Sequence, residues 1–188
     1  IATPAQPVQV QFPQTLASLV KQRVEHLTAW QDAKYAAQYE RFVDRVRAAE
    51  AKLGTGDQLA RTVASAAAKL MSYKDEYEVA RLYSNGEFEK KLAEAFEGDV
   101  QLRFDLAPPL LAKKDADGHL VKKSYGPWVR HAFRWLAKAK GLRGTAFDVF
   151  GRTAERRMER ALIGEYEQAI DRALARLTPE TLPLVVEL

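Results

Sequence analysis

The apolar positions of this chain recur at helical spacing along most of its length and switch to period two only once. Tyr35, Tyr39, Phe42, Val46, Ala49 and Leu53 follow steps of four and three, which puts them on one seam of a helix. Gly54-Thr55-Gly56 ends that helix, and Asp57 stands where it can cap the next. The next helix carries Leu59, Val63, Ala66, Ala67 and Leu70, with alanines that permit a close neighbour, and leads into a tyrosine-rich run. An earlier helix is predicted to start near Thr15. Val100, Leu102, Phe104 and Leu106 then alternate with Gln101, Arg103 and Asp105, which predicts a strand with one buried face. Pro108-Pro109 bends or ends it, and Lys114-Asp115-Ala116-Asp117-Gly118 reads as a turn, so residues 110–112 and 120–122 could pair as a hairpin. After that the helical period returns. Trp128, Val129, Ala132, Phe133, Trp135 and Leu136 form one broad face, with Arg130, Arg134 and Lys138 as a stripe opposite. The longest helix is predicted from about Thr153 to Leu177, with Met158, Leu162, Tyr166, Ala169, Ala173 and Leu177 inward.

The expected fold is therefore mainly α, a helical bundle-like domain with one small antiparallel β-sheet or hairpin inserted at about residues 99–123. Residues 1–14 contain Pro4, Pro7 and Pro13 and read as an extended arm or linker. Residues 15–188 read as a single helical domain. The chain starts at Ile1 and stops inside the apolar stretch 182–188, which suggests a fragment of a longer polypeptide.

Composition narrows the chemistry. A hydrophobic content of 47% with 29% charged residues is that of a soluble globular chain able to bury its own core. No run of apolar residues approaches transmembrane length. There is no cysteine, which excludes disulfides, cysteine-ligated zinc, iron–sulfur ligation and a thiol nucleophile on this chain. The glycine-rich phosphate loop, the G-x-G-x-x-G turn, the nucleophile elbow and the Gly-Asp-Gly…Asn diphosphate motif are all missing. His26, His119 and His131 fall on three separate predicted elements and read as surface or satisfied core residues.

Charge is unevenly spread. Between His119 and Arg160, eleven Lys and Arg face three acids, so that segment carries +8 of a chain whose net charge is +4. Arg152, Arg156 and Arg160 follow one another at i,i+4, a like-charge spacing that needs a compensating acid or anion. Tyr125, Trp128, Phe133, Trp135, Phe147 and Phe150 interleave with these cations, a mixture that also suits single-stranded nucleic acid. The aromatics are expected on the buried face, however, where bases cannot stack. A solvated basic face, or one that docks an acidic protein surface, is the preferred reading, and nucleic acid is disfavoured.

The run from Lys69 to Tyr83 is the most distinctive stretch. Tyr73 and Tyr77 are spaced to share a helix face, and Lys74–Glu78 and Glu78–Arg81 are spaced to pair. Asp75, Glu76 and Glu78 could be taken for metal ligands or acid–base carboxylates. The cations Lys74 and Arg81 beside them favour an ion-pair network or an interdomain contact instead. The candidate interdomain or partner-contact residues are Lys74, Asp75, Glu78, Arg81, Arg130, Arg134, Lys138, Arg143, Arg152, Arg156 and Arg160.

That same run, with Leu106-Ala107-Pro108-Pro109-Leu110-Leu111, Gly141-Leu142-Arg143-Gly144-Thr145 and the stretch from Phe150-Gly151-Arg152 to Arg160, resembles a known family. These segments, in this order, are similar to the helical domain near the C-terminus of the fused indolepyruvate ferredoxin oxidoreductases, within the 2-oxoacid:ferredoxin oxidoreductases. The resemblance covers the chain from about Leu16 onward. It implies a cytoplasmic parent enzyme that oxidatively decarboxylates an aryl or related 2-oxoacid with coenzyme A and passes electrons to ferredoxin. It implies thiamine diphosphate, Mg²⁺ and iron–sulfur clusters in other parts of that parent, and none held here. The expected role is accessory: scaffolding, or contact with other domains, a second subunit or ferredoxin. No catalytic, cofactor-binding or metal-binding residue is carried over, and no membrane is implied. The alternative is a stand-alone helical binding module for an anionic partner, an acidic protein or nucleic acid.

Overall fold

A computed structural model describes residues 15–96, 102–106 and 121–187. The expected arm at 1–14, and most of the expected hairpin at 110–122, lie outside the described residues. The structure is mainly helical with one small antiparallel sheet. In chain order come α1 (Leu16–Trp30), α2 (Ala33–Ala51), α3 (Gln58–Met71), α4 (Glu76–Leu82), α5 (Glu87–Ala95), β1 (Phe104–Leu106), β2 (Lys123–Tyr125), α6 (Val129–Lys138), a 3-10 turn (Ala139–Leu142), α7 (Ala154–Leu174) and α8 (Leu182–Val186). No described helix is long and apolar enough to cross a membrane. Contacts gather in two compact units, one within residues 1–72 and 160–188, the other spanning 73–159.

In the first unit, α1 begins where Thr15 and Ser18 exchange side-chain and backbone hydrogen bonds, a capping box. The seam on α2 faces inward as its spacing predicts, with Tyr39, Phe42 and Val46 buried. Leu59, Val63 and Ala67 of α3 meet it, joined by Ala60, Ala64 and Ala68. These small side chains let the helices approach closely enough for the Tyr39 hydroxyl to donate to the Ala64 carbonyl at 3.0 Å. The Tyr35 hydroxyl likewise donates to the Met71 carbonyl at 3.0 Å. Both hydroxyls thus find the partner that a buried phenol requires.

The N-terminus of α3 is capped differently from expectation. Asp57 makes no side-chain cap bond, and instead accepts from Arg61 Nε at 2.7 Å. The capping is done from α2: Glu50, 1% exposed, accepts from the backbone N–H of Leu59 and of Ala60, each at 2.8 Å. A buried charge at a helix N-terminus is favoured by the orphan N–H groups and by the helix dipole. Along α7 the expected inward set is only partly right. Ile170 is buried and Tyr166, Ala169 and Ala173 are half-buried, but Met158 and Leu162 are exposed. Tyr166 meets the Phe42 ring edge-on, and the inward face of α7 is completed by Ile163, Ile170, Ala173 and Leu174.

The second unit holds α4, α5, the sheet and α6. β1 pairs antiparallel with β2, Phe104 opposite Tyr125 and Leu106 opposite Lys123. The strand thus falls within the predicted alternation, and its partner lies just beyond the predicted hairpin arm. A sheet this small needs a helix to pack on. Phe104 supplies the contact: it meets Tyr83 of the α4 end and Phe133 of α6 edge-on, each at 5.6 Å, while Tyr83 and Phe133 stack at 5.6 Å.

Replacing Glu50 by Ala strands two buried N–H groups and is expected to cost about 2–3 kcal/mol. Urea denaturation of the chain measures it. A loss below about 0.5 kcal/mol, the range of ordinary surface changes, would show that water caps α3 instead.

Candidate functional site

α3 and the tyrosine run do not form one helix. α3 stops at Met71, and Asp75 starts α4 by accepting from the Glu78 N–H at 2.8 Å. Tyr73 and Lys74 therefore precede α4, and Tyr73 and Tyr77 do not share a helix face. The cap competes with helix continuation, as short polar side chains commonly do. Lys74 is exposed, and Glu78 takes Arg81 as partner through two bonds of 2.8 Å. Tyr77 is buried, Val79 is half-buried and Leu82 is 44% exposed. Ala80 is the α4 residue that enters the core with Phe104, Val129 and Phe133.

Asp75 does more than cap. Its carboxylate also receives Arg143 Nε at 2.5 Å and Arg143 Nη2 at 2.8 Å. This bidentate pair is almost wholly withdrawn from water, with each side chain 4% exposed. Arg143 in turn lies over the Tyr77 ring, 5.3 Å from its centre. The Tyr77 hydroxyl reaches Asp148 at 3.4 Å. Asp148 also accepts from the N–H of Gly144 at 2.8 Å and of Gly151 at 2.9 Å. Gly144 has φ of 73°, a left-handed conformation that suits glycine. Phe150 closes the cluster edge-on against Tyr77 at 5.3 Å.

A second cluster lies on α4 and α7 in the same unit. Arg156 pairs with Glu159 at 2.6 Å and Glu76 at 3.8 Å, and sits over the Tyr73 ring at 5.9 Å. Burial holds the Glu76 carboxyl above the usual carboxylate range, while its own backbone N–H and Arg156 pull the other way. Arg152 precedes α7 and donates to the Ala146 carbonyl at 2.7 Å. The expected helical repulsion between Arg152 and Arg156 therefore does not arise. Arg160 belongs to the other unit and is half-buried.

The α6 stripe is less uniform than expected: Arg134 and Lys138 are exposed and Arg130 is half-buried. The aromatic face differs more. Val129 and Phe133 are buried, but Trp128 is 62% and Trp135 75% exposed, and Phe147 of the following loop is exposed too. His131 is exposed on α6 and His26 half-buried on α1, and His119 lies outside the described residues.

Asp75 and Arg143, expected as contact residues, thus engage each other, and Asp148 and the Tyr77 hydroxyl join them unforeseen. An Asp in a glycine-flanked loop, Gly144 to Gly151, was the available signal for Asp148. The four oxygens of Asp75 and Asp148 all hold donors, so the cluster is equipped to fix a loop to a helix rather than to move protons. Among the described residues no group of three or more His, Asp or Glu is placed to share a metal ion. A shallow groove of about 520 Å³ lies in the first unit, lined by Leu70, Leu162, Tyr166 and Ala169.

Together these features define a helical protein with one small sheet and a buried carboxylate–guanidinium knot. Over residues 16–188 the chain matches a family of unknown function (DUF6537), and it belongs to that family. No curated protein and no solved structure matches it.

Removing one partner of a buried ion pair leaves the other uncompensated, so Asp75→Ala is expected to cost about 3–5 kcal/mol, and adding Arg143→Met to recover part of that. Chemical denaturation of the two variants checks this; a double variant no more stable than the single one contradicts it. Tyr77 gives a pH signature. Burial, then the Asp148 carboxylate, pushes its phenol up to about 12. The folded state thus favours the neutral phenol over an unfolded phenol near about 10. The stability this confers is fully present below pH about 10 and is lost as pH rises through about 12. The stability gap between the wild type and Tyr77→Phe is therefore expected to shrink over that window; a constant gap would exclude it.

Proposed function

We propose that this chain is an accessory helical domain of an enzyme similar to the indolepyruvate ferredoxin oxidoreductases. Its role there is to hold neighbouring parts in place and to make contact with other domains, a second subunit or ferredoxin. The observation that carries the reading is the knot itself. The tyrosine run, the 141–145 segment and the 150–151 segment, three of the stretches that bear the resemblance, supply Asp75, Tyr77, Arg143, Phe150 and Gly151 to one buried cluster. Segments 68 residues apart in sequence are thereby given one shared structural purpose. The residues here do not fit thiamine diphosphate, Mg²⁺ or an iron–sulfur cluster, because the chain has no cysteine and no diphosphate motif. Those groups belong, on this reading, to other parts of a cytoplasmic parent, and no reaction step is assigned to this chain.

The alternative is an independent helical binding module for an anionic partner. The exposed tryptophans beside exposed cations on α6 favour it. The reading frame that encodes this chain separates the two: it is expected to include thiamine and cysteine-rich cluster motifs. The corresponding full-length protein is expected to reduce ferredoxin with a 2-oxoacid and coenzyme A, and the 188-residue chain alone to be colourless and to bind no thiamine diphosphate in calorimetry. A frame without those motifs, or cluster absorbance in the chain alone, overturns the proposal.

A further inference from the structure

α6 is apolar at two opposite poles. Val129, Phe133, Leu136 and Ala137 pack into the core with Tyr83, Phe104 and Leu106. On the other side, Trp128, His131, Ala132 and Trp135 are all exposed, at i, i+3, i+4 and i+7. The two indoles stand about 10 Å apart along the axis, with the small Ala132 between them. Neither is loose. Trp128 packs edge-on against Tyr125 at 6.0 Å, and the Lys138 ammonium sits 5.4 Å from the Trp135 ring centre. Two large aromatic anchors flanking a small residue form a seam into which the side chains of a second helix can fit, the usual spacing for helix recognition. Tryptophan and arginine are also the side chains that most often dominate such interfaces.

Charge selects the partner. The seam is bordered by Arg134 and Lys138, both exposed, and α6 carries no acidic residue. No acid on α6 faces Arg134 and Lys138, so a helix lying along the seam is stabilised by acids on its flanks and repelled by bases. Nucleic acid fits less well, because base stacking needs open ring faces, and Lys138 and Tyr125 already occupy part of both indoles.

We infer that the outward face of α6 docks an acidic amphipathic helix of a partner protein, Trp128 and Trp135 entering its apolar face and Arg134 and Lys138 meeting its flanking carboxylates. This inference rests on a binding role for the domain and is independent of the oxidoreductase kinship, so either can fail without the other.

The test uses the whole chain and three probes: a heptad-patterned Glu/Leu peptide, the same peptide with Gln for Glu, and an oligo(dT) strand. Trp30 is 2% exposed, so the quenchable indole fluorescence comes from Trp128 and Trp135. Binding of the Glu/Leu peptide is expected to shield both from acrylamide and to weaken with salt. Trp135→Ala and the Arg134→Glu/Lys138→Glu pair are each expected to weaken it about tenfold or more, with unchanged helical circular dichroism as the control for folding. The Gln peptide is expected to bind more weakly than its parent. Equal binding of the Glu and Gln peptides, no binding of either, tighter binding of oligo(dT), or self-association abolished by Trp135→Ala would each overturn the inference.

Discussion

Asp75 lies where water cannot serve it, and every bond its carboxylate makes must come from the chain. One oxygen takes the Glu78 N–H that opens α4, and the Arg143 guanidinium takes both. A lone carboxylate in such a place would neutralise or open the structure; saturated and paired, it joins two distant segments. The same constraint recurs. Glu50 meets two N–H groups of α3, and Asp148 meets those of Gly144 and Gly151. Asp75, Glu50 and, through the Tyr77 hydroxyl, Asp148 are joints between segments that hydrophobic burial alone would leave free to slide. Burial is not directional, whereas an acceptor aimed at particular N–H groups sets a register.

Legibility in the sequence divides along that line. The seams of α2 and α3, the strand near Phe104 and the long α7 follow from periodicity, because apolar burial repeats with the element's own geometry. The joints do not repeat. Glu50 sits in an ordinary helical position, and only the fold reveals that α3 begins beside it. Asp57 had the right place in sequence, yet its carboxylate turns to Arg61 instead. Asp148 was counted only as an acid. In the tyrosine run the spacing of Tyr73, Tyr77 and Lys74 suggested one continuous helix, but the cap at Asp75 broke it.

α6 shows a different failure of the helical wheel. Trp128 and Trp135 lie close in angle to Ala132 but far from Phe133, and summing all apolar residues into one broad face merged two poles. The same error placed Met158 and Leu162 inside α7. A hydrophobic residue is evidence of burial only when its neighbours on the wheel share the core. Large apolar side chains left outside that arc mark a surface with its own requirements.

The knot and the α6 face are mechanically linked within the second unit. Asp75, Arg143 and Tyr77 fix α4 against the loop that follows the 3-10 turn. At the other end of α4, Tyr83 stacks on Phe133, and Phe104 closes the corner between them. Phe133 lies on the core side of the same helix whose far side carries Trp135. α6 is thus held from behind by rings and, through α4, by a buried ion pair. A rigid helix loses little further freedom when its outer face is covered, so the interaction energy of exposed anchors is not spent on ordering them. In this unit the stability of the core and the readiness of the surface have one structural origin.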